Sequence, residues 1–377
     1  MDIAQIKEEI KSMKRIELRE QPFILTGLPW VYERNSYDRI PGDLMPEAAT
    51  DLFKEIATEC SGAIARIRTN SSHVYFEGRV RRVKETLYHM SRVGRSGFDF
   101  HIKKDHEPLR FIQTSVPYDY GTTSVMCEVA VQRTGLYDER PQPEGKPDVY
   151  ELRIVLPTYN VVDEAYIYVD ADAVILPPEP QTYDKTLMFY GSSITQGACA
   201  SRPSNCYTNR LALNLDCPIL NFGFSGHCMA EPELADLIVK QKMDIFVMDY
   251  DHNAPNADYL KKTHQPFFKM IRKARPDIPV VFMTKPDYGI SLDDNDIRRA
   301  IIRKTYADAR KDGDDRVYFV DGKYFFEGIR NEATLDGCHP TDMGFDRMYH
   351  ATLPLIKALL DGDLEKAAEW QPGEEEA

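Results

Sequence analysis

Thr186-Leu187-Met188-Phe189-Tyr190 runs directly into Gly191-Ser192-Ser193-Ile194-Thr195-Gln196-Gly197. An apolar run closed by a Gly-Ser turn reads as a strand buried on both faces that hands over to a helix. The pattern returns four times downstream, at Pro218–Phe222 (PILNF), Asp244–Asp249 (DIFVMD), Pro279–Thr284 (PVVFMT) and Val317–Asp321 (VYFVD). Between and after these lie helical segments. Glu231–Lys240 is one, Tyr259–Arg275 carries Leu260, Phe267, Phe268 and Ile271 on or near one face, and Asp346–Leu360 closes the series. Buried strands separated by helices predict a parallel, doubly wound sheet, with any ligand site beyond the carboxyl ends of the strands.

The half before this reads differently. From Pro22 to Pro178, short β-branched and aromatic runs are separated by Gly, Pro, Asn and Asp: Ala63–Thr69, His73–Arg79, Phe98–Ile102, Arg110–Val116, Ser124–Val131, Tyr150–Leu156 and Glu164–Val169. That spacing predicts a β-sandwich or jelly roll. Gly135–Asp148, with three prolines, reads as a long loop, and Pro177–Asp184 (PPEPQTYD) as the linker. The expected organisation is a β domain over 1–183, an α/β domain over 184–362 and an acidic tail over 363–377. Self-association through Trp370 in that tail is left open.

The chain has 377 residues, with 47 Lys+Arg against 60 Asp+Glu, a net charge of −13 that argues against nucleic acid or an anionic membrane as partner. No apolar run is long enough to span a bilayer. MDIAQIKEEIKSMKRIELRE lacks the apolar core of a signal peptide, so a cytoplasmic location is expected. Seven cysteines without a C-x-x-C pair suit reduced thiols better than a disulfide framework or a zinc site.

The strand ends supply chemistry. Ser193 stands between a strand end and a helix start, where a serine can expose its hydroxyl and donate from its backbone N–H. After the second strand, Gly226 lets an N–H approach a substrate closely, and after the third, Asn253 offers a side-chain amide. Two backbone N–H groups and an amide make an oxyanion hole. After the fifth strand, Asp336 and His339 are spaced so that the carboxylate fixes the imidazole tautomer and leaves Nε2 as a base, which a serine nucleophile requires. A phosphate-binding reading of GSSITQG lacks the lysine of a nucleotide site. A metal site on Asp251 and His252 lacks convergent partners, and no cofactor is called for.

These residues resemble a known family. The C-terminal half resembles an SGNH (GDSL-type) hydrolase, whose signature Ser, Gly, Asn and His match Ser193, Gly226, Asn253 and His339 within FYGSSITQG, ILNFGFSGH and DGCHPTDMGFDRM. The preceding half resembles the β domain named for a G-x-D-L-Y motif, here Gly97-Phe98-Asp99-Phe100-His101. The resemblance runs from Tyr37 to Leu360 and implies a flavodoxin-like sheet behind a β-sandwich. Three positions depart from the pattern. Gly-Asp-Ser is Gly191-Ser192-Ser193, Gly-x-Asn-Asp is Asp251-His252-Asn253-Ala254, and Leu-Tyr is Phe100-His101. The implied activity is ester hydrolysis through an acyl-enzyme, with Ser193, His339 and Asp336 catalytic and Ser193, Gly226 and Asn253 forming the oxyanion hole. Relatives of this architecture are often carbohydrate esterases, so an acetylated sugar is the expected substrate, with Tyr190, Arg202, Tyr250, His252, Asp287 and Tyr288 as candidate contacts. A lipase or thioesterase on the same machinery is the alternative, and a catalytically dead carbohydrate-binding protein a third reading.

Overall fold

A computed structural model of the chain describes residues 2–47, 49–82, 87–104, 107–118, 121–132, 147–286 and 292–370. The loop expected over Gly135–Asp148 falls almost wholly outside the described residues, as do the last seven residues of the expected tail. The start of that tail is a short helix, Leu364–Ala368. By its internal packing the chain divides into two compact units. The first holds Met1–Leu44, Ala57–Pro180 and Ser201–Ser204; the second holds Met45–Ile56, Gln181–Ala200 and Asn205–Ala377.

Among the described residues the first unit has ten strands: β1 (Lys14–Glu17), β2 (Ile24–Thr26), β3 (Ile64–Thr69), β4 (Val74–Val80), β5 (Phe98–Lys104), β6 (Arg110–Ser115), β7 (Ser124–Val129), β8 (Tyr150–Val155), β9 (Val162–Val169) and β10 (Ile175–Leu176). They form two antiparallel sheets, ordered β1-β9-β4-β7 and β10-β3-β8-β5-β6, with β2 added along β3. Both sheets turn apolar residues onto one shared core. Phe76 on β4 meets Phe98 and Phe100 of the other sheet at ring-centroid distances of 4.8 and 5.2 Å. That is a sandwich interior assembled from alternate residues of facing strands. The β5–β6 register shifts between Phe100 and His101, where Ile112 of β6 is left unpaired, and Phe100 and His101, on opposite faces of β5, are both buried.

The outer face of the second sheet is also buried, and it carries charge. Glu151 on β8 accepts from Arg66 Nε and Nη2 at 3.0 and 3.1 Å and from Arg153 Nε at 2.6 Å, all three side chains being nearly inaccessible. One carboxylate shared by two guanidiniums satisfies a site where an unpaired charge would be costly.

The second unit contains a five-stranded parallel sheet: β11 (Leu187–Gly191), β12 (Ile219–Gly223), β13 (Ile245–Asp249), β14 (Val280–Met283) and β15 (Val317–Val320). Its order is β12-β11-β13-β14-β15, the flavodoxin-like order. Every residue of these strands is buried, as a sheet covered on both faces requires. Helix Asp342–Asp361 packs against helix Tyr207–Leu215, while helices Pro232–Ile238, Ala257–Ala274 and Leu292–Lys311 pack in succession. The fold is α/β, with the parallel sheet in the C-terminal part and antiparallel sheets before it. Among the described residues, no helix is long and apolar enough to cross a membrane.

Candidate active site

The sheet order places the ends of β11, β12 and β13 side by side. Gly191 ends β11 because nothing larger fits: a Cβ there would stand 2.0 Å from Thr195 Oγ1 and 2.5 Å from the Asp249 carbonyl oxygen. The next residue, Ser192, caps a one-turn helix over Ser193–Gln196 by accepting from the Ile194 N–H at 3.2 Å. Ser193 is therefore fixed at a helix start directly above the strand.

His339 reaches Ser193 from the loop ahead of the last long helix, its Nε2 2.9 Å from Ser193 Oγ. Its Nδ1 lies 2.8 Å from Asp336 Oδ2, and its backbone N–H donates to Asp336 Oδ1 at 2.8 Å. Burial alone would raise the Asp336 carboxyl. The His339 N–H, the imidazole and the Cys338 N–H outweigh that and hold it below the usual carboxylate range. Serine hydroxyl, imidazole and ionised carboxylate thus form one continuous hydrogen-bonded chain, the arrangement that lets a weak nucleophile lose its proton on attack.

Asn253 sits in a turn closed by its own N–H to the Tyr250 carbonyl at 2.9 Å, and its Nδ2 donates to the Phe224 carbonyl at 3.2 Å. A carboxamide nitrogen carries two hydrogens, and this bond uses one. Gly226 follows two residues after Phe224. Its φ of +67° lies in the left-handed region, and a Cβ there would meet nothing within 4 Å. The glycine is required by the backbone bend rather than by crowding. The bend is braced: the Phe224 N–H donates to the Gly191 carbonyl at 3.0 Å, and the Ser225 N–H to Gln196 Oε1 at 3.0 Å. On the far side of Gly226, His227 lies 3.0 Å from Thr50 Oγ1, and the Phe53 ring packs on Phe224 and His227 at 5.1 and 5.4 Å.

Residues 184–357 match the family described as GDSL-like lipase/acylhydrolase, and residues 13–175 match the family described as the N-terminus of an SGNH-type esterase. The chain belongs to the SGNH-type hydrolase family. It is similar over 93% of its length, at 25% identity and a TM-score of 0.78, to 98% of a protein described as a GDSL-like lipase from Bacteroides ovatus. The same 93% and 98% coverage holds for a salicylyl-acyltransferase of a tetracycline biosynthetic pathway, at 16% identity and TM-score 0.70. It holds again for a family two carbohydrate esterase from Cellvibrio japonicus, at 13% identity and TM-score 0.59. No curated protein matches the hydrolase in sequence.

The expected substrate contacts fare unevenly. Tyr190 is a core residue: its ring stacks on Phe267 at 4.6 Å and its hydroxyl bonds Glu231 at 3.0 Å. Tyr250 is likewise buried, with its hydroxyl 3.1 Å from Thr263. Both sit at strand ends but point into the helix layer, so neither is offered to a ligand. Arg202 belongs to the first unit, where it pairs with Asp99 at 3.1 Å and covers the Phe111 ring at 3.8 Å. Asp99 in turn accepts from the Ser204 N–H at 2.8 Å, so the motif aspartate anchors the Ser201–Ser204 segment. His101, at the tyrosine position of that motif, is pushed down to about 3 by burial and by nearby Arg202 and Arg153, and is neutral. His252 is held neutral by burial, Lys285 and the neighbouring His339. Asp287 and Tyr288 lie outside the described residues.

Sequence reading did not find what lies beneath the serine. Asp249 Oδ2 accepts from Thr195 Oγ1 at 2.9 Å and from the Tyr207 hydroxyl at 2.8 Å. Asn221 Nδ2 donates to the Thr195 carbonyl at 2.8 Å. The available signal was two polar residues, Asn221 and Asp249, inside otherwise apolar strands.

Proposed function

We propose that this hydrolase is a serine esterase that works through an acyl-enzyme and removes acetyl groups from acetylated sugars or oligosaccharides. The observation that carries the reading is the unbroken chain from Ser193 Oγ through His339 to Asp336. Ser193 Oγ adds to the ester carbonyl carbon while His339 Nε2 takes the hydroxyl proton. The tetrahedral oxyanion is received by the Ser193 N–H, the Gly226 N–H and Asn253 Nδ2. Collapse breaks the bond to the alcohol oxygen, which leaves with the proton from His339. Water then adds to the acyl-enzyme, gives its proton to His339, and releases the carboxylic acid and free Ser193. Asp336 keeps Nδ1 protonated and stabilises the imidazolium at each stage.

The sugar-ester part of the reading is supported by the architecture shared with the family two carbohydrate esterase, a β-sandwich unit ahead of an SGNH-type sheet. The test is hydrolysis of 4-nitrophenyl acetate, butyrate and octanoate beside a peracetylated sugar, by wild type and Ser193→Ala. Acetate and sugar turnover that vanishes in the variant supports the assignment. Preference for octanoate replaces it with a lipase or thioesterase, and turnover retained by Ser193→Ala removes the serine mechanism.

A further inference from the structure

The turn that carries Asn253 is fastened from outside by one side chain. Arg298, on helix Leu292–Lys311 and only 7% exposed, donates through Nη1 to the Asp251 carbonyl at 2.6 Å and to the Ala254 carbonyl at 2.9 Å. These two carbonyls stand on either side of Asn253. Its Nε meets Asp294 Oδ2 at 2.5 Å, one helical turn back. The turn is also held where β14 ends: the Lys285 N–H donates to Asp251 Oδ2 at 3.0 Å. Among the described residues, the Asn253 side chain has one tether, the Phe224 carbonyl.

A guanidinium is a costly filler for a buried site. An aliphatic side chain of similar length would pack the same space without desolvating a charge. What Arg298 adds is two charge-assisted hydrogen bonds to backbone that must not move, since an oxyanion donor works only when it is already in place. A lysine has a single donor nitrogen and cannot hold the two carbonyls while pairing with Asp294 through a second one, as Nε does here.

We propose that Arg298 is a positioning residue for Asn253, setting the oxyanion donor through the two flanking carbonyls. This rests on the esterase reading. The test is 4-nitrophenyl acetate turnover, with melting temperature, for wild type, Ser193→Ala, Arg298→Met, Arg298→Lys, Asn253→Ala and the double variant Asn253→Ala/Arg298→Met. A donor displaced by about 1 Å costs about 10²-fold in rate. Arg298→Met is therefore expected to lower kcat by about that factor with KM nearly unchanged, and Arg298→Lys to fall between it and wild type. In the Asn253→Ala background the same change is expected to cost less than about twofold, because residues acting through one another are not additive. Wild-type kcat in Arg298→Met, or an equal loss in both backgrounds, overturns the proposal. If Arg298→Met does not fold, Arg298→Lys alone and in the Asn253→Ala background gives the same comparison. Wild type as inactive as Ser193→Ala on every ester removes the esterase reading and this inference with it. An active wild type indifferent to Arg298 removes the inference only.

Discussion

Thr195, two residues beyond Ser193, donates its hydroxyl to Asp249 at 2.9 Å, and that carboxyl is sealed from solvent. Burial, together with neighbouring Asp251, pushes Asp249 up to about 7 from an ordinary 3.8, against the opposing hydrogen bonds from Tyr207 and Thr195. The native state therefore keeps a proton that the unfolded chain loses. Where the native state binds more protons, stability falls as pH rises. Asp249 is thus expected to weaken the fold progressively from about pH 4 to about pH 7. Asp249→Asn, which has no such proton to lose, should show a shallower fall in melting temperature between pH 5 and pH 7.5 than wild type. Parallel curves for the two proteins would contradict this.

Ser193→Ala removes the proposed nucleophile but none of the packing that holds it. Turnover is expected to drop to the small residue that binding and the oxyanion hole provide, about 10³–10⁴-fold over water, while the melting temperature stays close to wild type. A steady-state assay and a thermal scan on the same preparation decide it.

Asn253→Ala takes away one proposed oxyanion donor and leaves Ser193 and His339 untouched. The expected loss in kcat is about 10²–10³-fold. A loss confined to KM would mean the amide binds substrate in its ground state instead.

Asp336→Asn keeps the shape of the carboxylate but cannot hold His339 in the same tautomer, and its expected cost is about 10⁴-fold in kcat. Because Asp336 also receives the His339 and Cys338 backbone N–H groups, the loop is expected to stay formed. Circular dichroism of the variant should match wild type, and a collapsed spectrum would show the aspartate to be chiefly a loop anchor.

In the first unit, Glu151→Ala would strand Arg66 and Arg153 without their shared carboxylate. Breaking a buried ion group from one side costs about 3–5 kcal/mol, measurable by urea unfolding. The exposed pair Arg79–Glu164 provides the contrast: Glu164→Ala is expected to cost less than about 1 kcal/mol.

Much of the architecture was legible because parallel strands covered on both faces must be continuously apolar, as LMFY and IFVM are. The strand ends then pointed to Ser193, Asn253 and His339. Helix Leu292–Lys311 escaped notice because its inward face is partly charged, with Arg298 and Arg299 buried beside Ile302, Tyr306 and Ala309. No apolar stripe announces a helix that grips by guanidinium. Tyr190 and Tyr250 were misread for a related reason: position at a strand end does not reveal whether a ring points out of the crevice or into the helix layer. Nor does sequence record which core a segment joins, so 1–183 was read as one β domain although Met45–Ile56 packs with the second unit.

That exchange of segments has a consequence for inheritance and for cutting the gene. Phe53 and Thr50 wall Phe224 and His227 from upstream of the linker, and Ser201–Ser204 is claimed by Asp99 from downstream of it. A crossover at the Pro-rich linker would therefore hand on two incomplete modules. Only a recombination that carries 45–56 with one partner and 201–204 with the other transfers a whole one, so the two halves are expected to travel through evolution as a pair.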